Sequence, residues 1–147
     1  MYGFVSSVIG EKGRQVYTIG RGATVTEAVR QMNEKGIGAL VVMDGDRPVG
    51  MFTERDVLVR IVDADRDPAL TRVAEVMSRG LVTITPDWHV EDAMELMTDR
   101  RFRHLPVIED GQLVGMLSIG DVLRWVTIHQ EDDIRAMTEY ITGQAGL

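Results

Sequence analysis

The sequence predicts an α/β (α+β-like) protein built from two β-α-β-β-α units, and three observations carry that prediction. First, the chain repeats itself. Shifted by 65 residues, positions 18–60 align with 83–125 without a gap, and 13 of the 43 pairs are identical. They include Thr18/Thr83, Val25/Val90, Ala28/Ala93, Leu40/Leu105, Gly50/Gly115 and Asp56/Asp121. Self-similarity at such a period means two copies of one supersecondary unit. Second, within each copy, short β-branched runs alternate with segments whose apolar residues fall at helical spacing. Third, each copy holds an apolar run, then Thr or Ser, two variable residues, Asp, and a new apolar run: Met51-Phe52-Thr53-Glu54-Arg55-Asp56-Val57 and Met116-Leu117-Ser118-Ile119-Gly120-Asp121-Val122. This reads as a strand entering a helix, with a hydroxyl, a carboxylate and free backbone amides facing one way.

Each element follows from its residues. Residues 4–10 form a lead-in helix that Gly10 and Gly13 end. Residues 16–19 are β-branched and aromatic, hence a short strand. Thr24 and Glu27 make a capping box, and Val25, Ala28, Val29 and Met32 form the inward face of a helix that Gly36 closes. Residues 38–43 and 48–52 are strands joined by the Asp44-Gly45-Asp46 turn, and residues 54–62 are the second helix. Residues 63–72 are polar, contain Pro68 and form the linker. The second unit repeats the order: a short helix at 73–77, strands at 81–84, 103–108 and 113–117, and helices at 90–99 and 119–128. Residues 132–142, with Ile134, Met137, Tyr140 and Ile141 at helical spacing, predict a further amphipathic helix that caps the domain or meets a second subunit. The expected organisation is a first repeat with its lead-in helix at 1–62, a linker at 63–72, a second repeat at 73–128 and a C-terminal helix and tail at 129–147.

Composition narrows the function. A chain of 147 residues, 44% hydrophobic and 27% charged, fits one compact soluble module. Its net charge of −7 argues against general nucleic-acid binding, which needs clustered Lys and Arg, but leaves room for a small basic pocket. The absence of cysteine excludes disulfide scaffolds, thiol nucleophiles and Cys-based zinc sites. There is no apolar run long enough for a membrane span and no secretory leader pattern, so a cytoplasmic protein is expected. No nucleophile–base constellation, phosphate loop or Rossmann fingerprint is present, so no catalytic residue, required cofactor or metal site is expected.

The tandem unit resembles a pair of CBS (cystathionine β-synthase) domains. The matching pieces are Ile37-Gly38-Ala39-Leu40-Val41-Val42 with Gly50-Met51-Phe52-Thr53-Glu54-Arg55-Asp56, and Phe102-Arg103-His104-Leu105-Pro106-Val107-Ile108 with Gly115-Met116-Leu117-Ser118-Ile119-Gly120-Asp121. The resemblance implies two repeats packed about a pseudo-two-fold axis with two clefts between them. It also implies a homodimer, and a non-catalytic regulatory role sensing adenosine-containing ligands (AMP, ADP, ATP, NAD or S-adenosylmethionine), with Mg²⁺ as an optional companion of the phosphates. The competing expectation is a structural or protein-interaction dimerisation module with vestigial clefts.

The candidate site residues start from the two Asp. An ionised carboxylate accepts two hydrogen bonds from vicinal hydroxyls, so Asp56 and Asp121 are expected ribose acceptors. The helix starts beside them offer amides to a phosphate, and the Thr53 and Ser118 hydroxyls can cap and still face the clefts. The alternative for Thr53/Asp56 and Ser118/Asp121 is a plain helix cap. Arg103 and His104 are cations at a strand start. Alternation along a strand lets at most one of them point squarely into a given cleft, and the resemblance places a basic residue here against phosphate. Their partners Gly38 and Ala39 are uncharged, whereas Arg55 faces Gly120, so the clefts are expected to differ. Lys12 lies where it can reach a phosphate. The resemblance puts the adenine edge against Val16, Thr18, Val82 and Thr83, with Ala39 and Pro106 flanking the ring; the alternative for Val16, Thr18, Val82 and Thr83 is a plain strand-forming role.

Overall fold

The computed structural model describes residues 1–145, with side chains through Gln130 and at Arg135 and Thr138. The elements are α1 (Val5–Lys12), β1 (Thr18–Gly20), α2 (Val25–Lys35), β2 (Ala39–Asp44), β3 (Arg47–Thr53), α3 (Glu54–Asp56) running into a π-helical segment (Val57–Val62), α4 (Val73–Val76), α5 (Val90–Arg100), β4 (His104–Glu109), β5 (Gln112–Ser118) and α6 (Ile119–Ala145). Among the described residues no helix is long and apolar enough to cross a membrane.

Local chemistry explains most boundaries. Thr24 and Glu27 form the expected capping box of α2, and Gly36 ends it in the left-handed region at φ 63°. Gly45 opens the β2–β3 turn at φ 62°, and Asp110 and Gly111 both take positive φ in the β4–β5 turn. Both are hairpin turns that favour such residues. The first unit forms a three-stranded sheet in the order β1-β2-β3, with β1 parallel to β2 and β3 antiparallel to it.

Four expectations give way here. Gly10 does not end α1, which runs to Lys12 with Gly13 as its C-cap. The strand expected at 81–84 shrinks to one bridge, Ile84 with Val107. The reason is Pro106. In the first unit the Val41 amide donates to the Tyr17 carbonyl, and the residue 65 positions on from Val41 is Pro106, which has no N–H to offer Val82. The helix expected at 54–62 is α-helical for one turn only and then widens, with the Asp63 amide donating to the Leu58 carbonyl at 2.9 Å. Four of its last six residues are β-branched, and such side chains crowd an α-helical turn. The separate helices at 119–128 and 132–142 are one continuous α6; the face formed by Ile134, Met137, Tyr140 and Ile141 lies outside the described side chains.

Each hydrophobic core borrows a helix that precedes the other unit. Leu40, Val42 and Phe52 of the first unit pack with Val73, Val76 and Met77 from α4 and its end. Leu105, Val107 and Leu117 of the second pack with Val5, Val8 and Ile9 from α1. The linker is pinned as well. The Val25 amide donates to the Thr71 carbonyl at 2.9 Å and the Thr26 amide to that of Pro68 at 3.2 Å, which satisfies amides that the start of α2 leaves open.

Candidate functional site

Two clefts lie between the units. The larger has a volume of about 870 Å³ and the smaller about 550 Å³. They are equivalent in the repeat. Gly36, Ile37, Gly38, Arg103, Ser118, Ile119 and Gly120 of the smaller cleft stand 65 residues from Arg101, Phe102, Arg103, Gly38, Thr53, Glu54 and Arg55 of the larger. The same backbone contact closes each: the Glu54 amide donates to the Gly38 carbonyl at 3.0 Å, and the Ile119 amide to that of Arg103 at 2.9 Å.

At the larger cleft, Asp56 is 5% exposed. The hydroxyl and amide at this strand–helix junction serve as a cap: the Asp56 amide donates to Thr53 Oγ1 at 3.3 Å, and the Thr53 amide donates to Asp56 Oδ2 at 3.0 Å. Ser78 Oγ donates to Asp56 Oδ1 at 3.0 Å, and Arg60 Nε stands 3.6 Å from the same oxygen. A carboxylate has about four lone-pair positions, so these contacts leave room for a further donor on Oδ1.

The charge around Asp56 is concentrated. Arg55, Arg60, Arg79, Arg100, Arg101 and Arg103 all line this cleft, six of the sixteen Lys and Arg in a chain of net charge −7. Arg60 donates to the Val76 and Met77 carbonyls at 3.2 and 3.0 Å and neighbours Asp56. The other five have no ion-pair partner among the described residues. His104 also lines the cleft and is half-buried; burial holds its imidazole below the ordinary histidine pKa. Near pH 7 it is therefore neutral.

At the second junction the Ser118 amide donates to Asp121 Oδ2 at 2.8 Å and the Asp121 amide to Ser118 Oγ at 3.1 Å. Here Lys12 stands against the carboxylate. Its ammonium donates to Asp121 Oδ2 and, at 2.7 Å, to the Met116 carbonyl. Burial pushes the Asp121 carboxyl up, but the bonds from Lys12 and Ser118 outweigh it and hold the group below the ordinary carboxylate range.

The structure thus gathers Thr53, Arg55, Asp56, Val82, Arg103 and His104 on the larger cleft, and Ser118, Arg103 and His104 on the smaller. Arg103 and His104 line both, and Arg103 precedes β4 rather than lying within it. Lys12, Asp121, Val16, Thr18, Ala39, Thr83 and Pro106 line neither. Ala39 and Pro106 are buried in their strands, and the Thr18 carbonyl accepts from Gln31 Nε2 at 3.0 Å. Sequence reasoning missed Ser78, Arg60, Arg79 and Arg100. Sequence position hides them, since they come from the π-helical segment, the residues after α4 and the end of α5.

Comparison with known proteins places this architecture. The CBS domain family matches residues 8–63 and 73–128. The chain belongs to the CBS-domain family. It is 42% identical over 125 residues to the mitochondrial CBS domain-containing protein CBSX3 of Arabidopsis thaliana, covering 82% of this chain but 61% of that relative's length. A putative signal-transduction protein with CBS domains from Burkholderia ambifaria is 40% identical with a TM-score of 0.81, covering 84% of this chain and 93% of that one. A hexameric CBS-CP12 protein from bloom-forming cyanobacteria is 30% identical with a TM-score of 0.77, covering 97% and 87%. CBS domains are commonly regulatory modules rather than catalytic ones.

Proposed function

We propose that this CBS pair is a non-catalytic sensor that binds an adenosine-containing ligand carrying phosphate in the larger cleft. The observation that carries the reading is the gathering of six arginines, five of them without an ion-pair partner among the described residues, around a buried carboxylate. Like charges held together on an acidic protein raise the free energy of the empty cleft, and a polyanion relieves it. The guanidinium groups give charge-assisted hydrogen bonds to phosphate oxygens. Asp56 Oδ1 accepts a ribose hydroxyl, and the apolar faces of Met51, Leu81, Val82 and Phe102 give the base an apolar wall. Binding changes the spacing of the two units only by its differential affinity for their arrangements, and that difference is the signal.

Self-association belongs to the same reading. Leu58, Val62 and Leu123 are 64, 66 and 58% exposed, and Leu58 and Leu123 are repeat partners. Equivalent apolar side chains on the two units suit a symmetric contact with a second copy.

The test is thermal shift and calorimetry with AMP, ATP, NAD and S-adenosylmethionine. At least one phosphate-bearing ligand raises the melting temperature, and Arg79→Ala with Arg100→Ala together weaken it by about tenfold or more. If none of the four ligands moves the melting temperature, the dimerisation-module reading takes its place.

A further inference from the structure

We infer that Lys12 is a built-in occupant of the second strand–helix junction, on Asp121 behind the smaller cleft, so that this chain takes one ligand at low concentration rather than two. The inference rests on the proposed ligand site and concerns how its repeat partner is kept closed.

The argument is a comparison of equivalent atoms. At the first junction, Ser78 does two jobs. Its hydroxyl donates to Asp56 and its amide donates to the Met51 carbonyl at 2.8 Å. The repeat partners of Asp56 and Met51 are Asp121 and Met116, but the partner of Ser78 is Gly13. Gly13 has no side chain, and its amide is committed to the Ile9 carbonyl at 2.9 Å as the cap of α1. Neither donor is available at the second junction. The Lys12 ammonium supplies both, to Asp121 and to the Met116 carbonyl.

The substitution changes what the site can do. Ser78 is short, neutral and fixed by its own backbone, so the charge on Asp56 is met only by Arg60, whose Nε at 3.6 Å stands beyond hydrogen-bond distance. Lys12 brings a full positive charge onto Asp121. A hydroxyl approaching the Asp121 carboxylate finds Oδ2 taken by Lys12 and the Ser118 amide, and a charge that the ammonium already meets. The smaller cleft is about 550 Å³ against about 870 Å³, and Asp121 does not line it. Its charged lining is reduced to Arg103 and Glu54.

Calorimetry with AMP and ATP on wild type and Lys12→Met tests this, since Met keeps the length and apolar bulk of the stem without the ammonium. Wild type is expected to show one site per chain. Lys12→Met is expected to gain a second, its affinity raised about ten- to a hundredfold, the scale of a lost charge-assisted contact. Asp56→Asn, added to each, assigns the sites: it weakens the one wild-type site and leaves the new site of Lys12→Met in place. Two equal sites in wild type, or a Lys12→Met protein that still fills only one, overturns the inference while leaving the ligand site standing. No binding by either protein overturns the ligand site and this inference with it. Lys12→Gln, which keeps a neutral donor, serves as a second variant and is expected to fall between the two.

Discussion

Arg101 shows how a single position trades stability against function. It caps α5 in the left-handed region at φ 58°, where the repeat partner Gly36 caps α2 at φ 63°. A residue with a Cβ pays about 1–2 kcal/mol there, and glycine does not. The strained residue is also one of the six arginines of the larger cleft. Arg101→Gly is therefore expected to raise stability by about 1 kcal/mol in denaturant titration while weakening ligand binding in calorimetry. A variant that gained stability and kept its affinity would mean that the Arg101 charge does not reach the ligand. At this scale the sequence was partly legible. Thr53, Asp56, Arg55, Arg103 and His104, which line the larger cleft, were singled out because a motif or a strand edge marked them. Arg60, Arg79, Arg100 and Ser78 were not, because only the packing of distant segments makes them neighbours.

At the scale of elements, Gly50 and Gly115 explain why the repeat keeps glycine in its returning strand. A Cβ on Gly50 would meet Met77 Sδ and the Ser78 carbonyl, each at 2.8 Å, and one on Gly115 would meet Ile9 Cγ2 at 3.0 Å. Each glycine is the seat on which the borrowed helix end rests. Gly50→Ala pushes at the Ser78 backbone, which cannot yield as a flexible side chain would. The expected loss is about 1–3 kcal/mol, the usual cost of overpacking, checked by thermal unfolding. Because Ser78 holds Asp56, the same variant is expected to weaken ligand binding more than Gly115→Ala does. The capping box, both hairpins and the helix periodicities were legible because the residues that make them are close in sequence. The lost strand at 81–84 was written in Pro106, but reading it required pairing Pro106 with Val41 and asking where that amide goes. The π-helical turn had only a weak local cue in its β-branched residues.

For the whole molecule, two titratable groups near the clefts shift in the same direction. Burial holds His104 below its ordinary 6.5, and Lys12 with Ser118 holds Asp121 below its ordinary 3.8 against the opposing push of burial. In both cases the unfolded chain binds more protons than the native one between the native and unfolded pKa values. Each contribution is complete above the unfolded value and is lost as pH falls through the native one. Denaturant titrations are expected to show stability falling as pH drops below 6.5, and again below 3.8. His104→Asn removes the first step; a profile unchanged by it would show that His104 titrates normally. The exchanged helices carry a last consequence. Since α1 completes the core of the second repeat and α4 that of the first, neither half owns all of its interior. Damage at the amino terminus is therefore expected to reach the distant repeat, the two halves to melt as one, and a chain severed between them to yield pieces that regain shape only in each other's company.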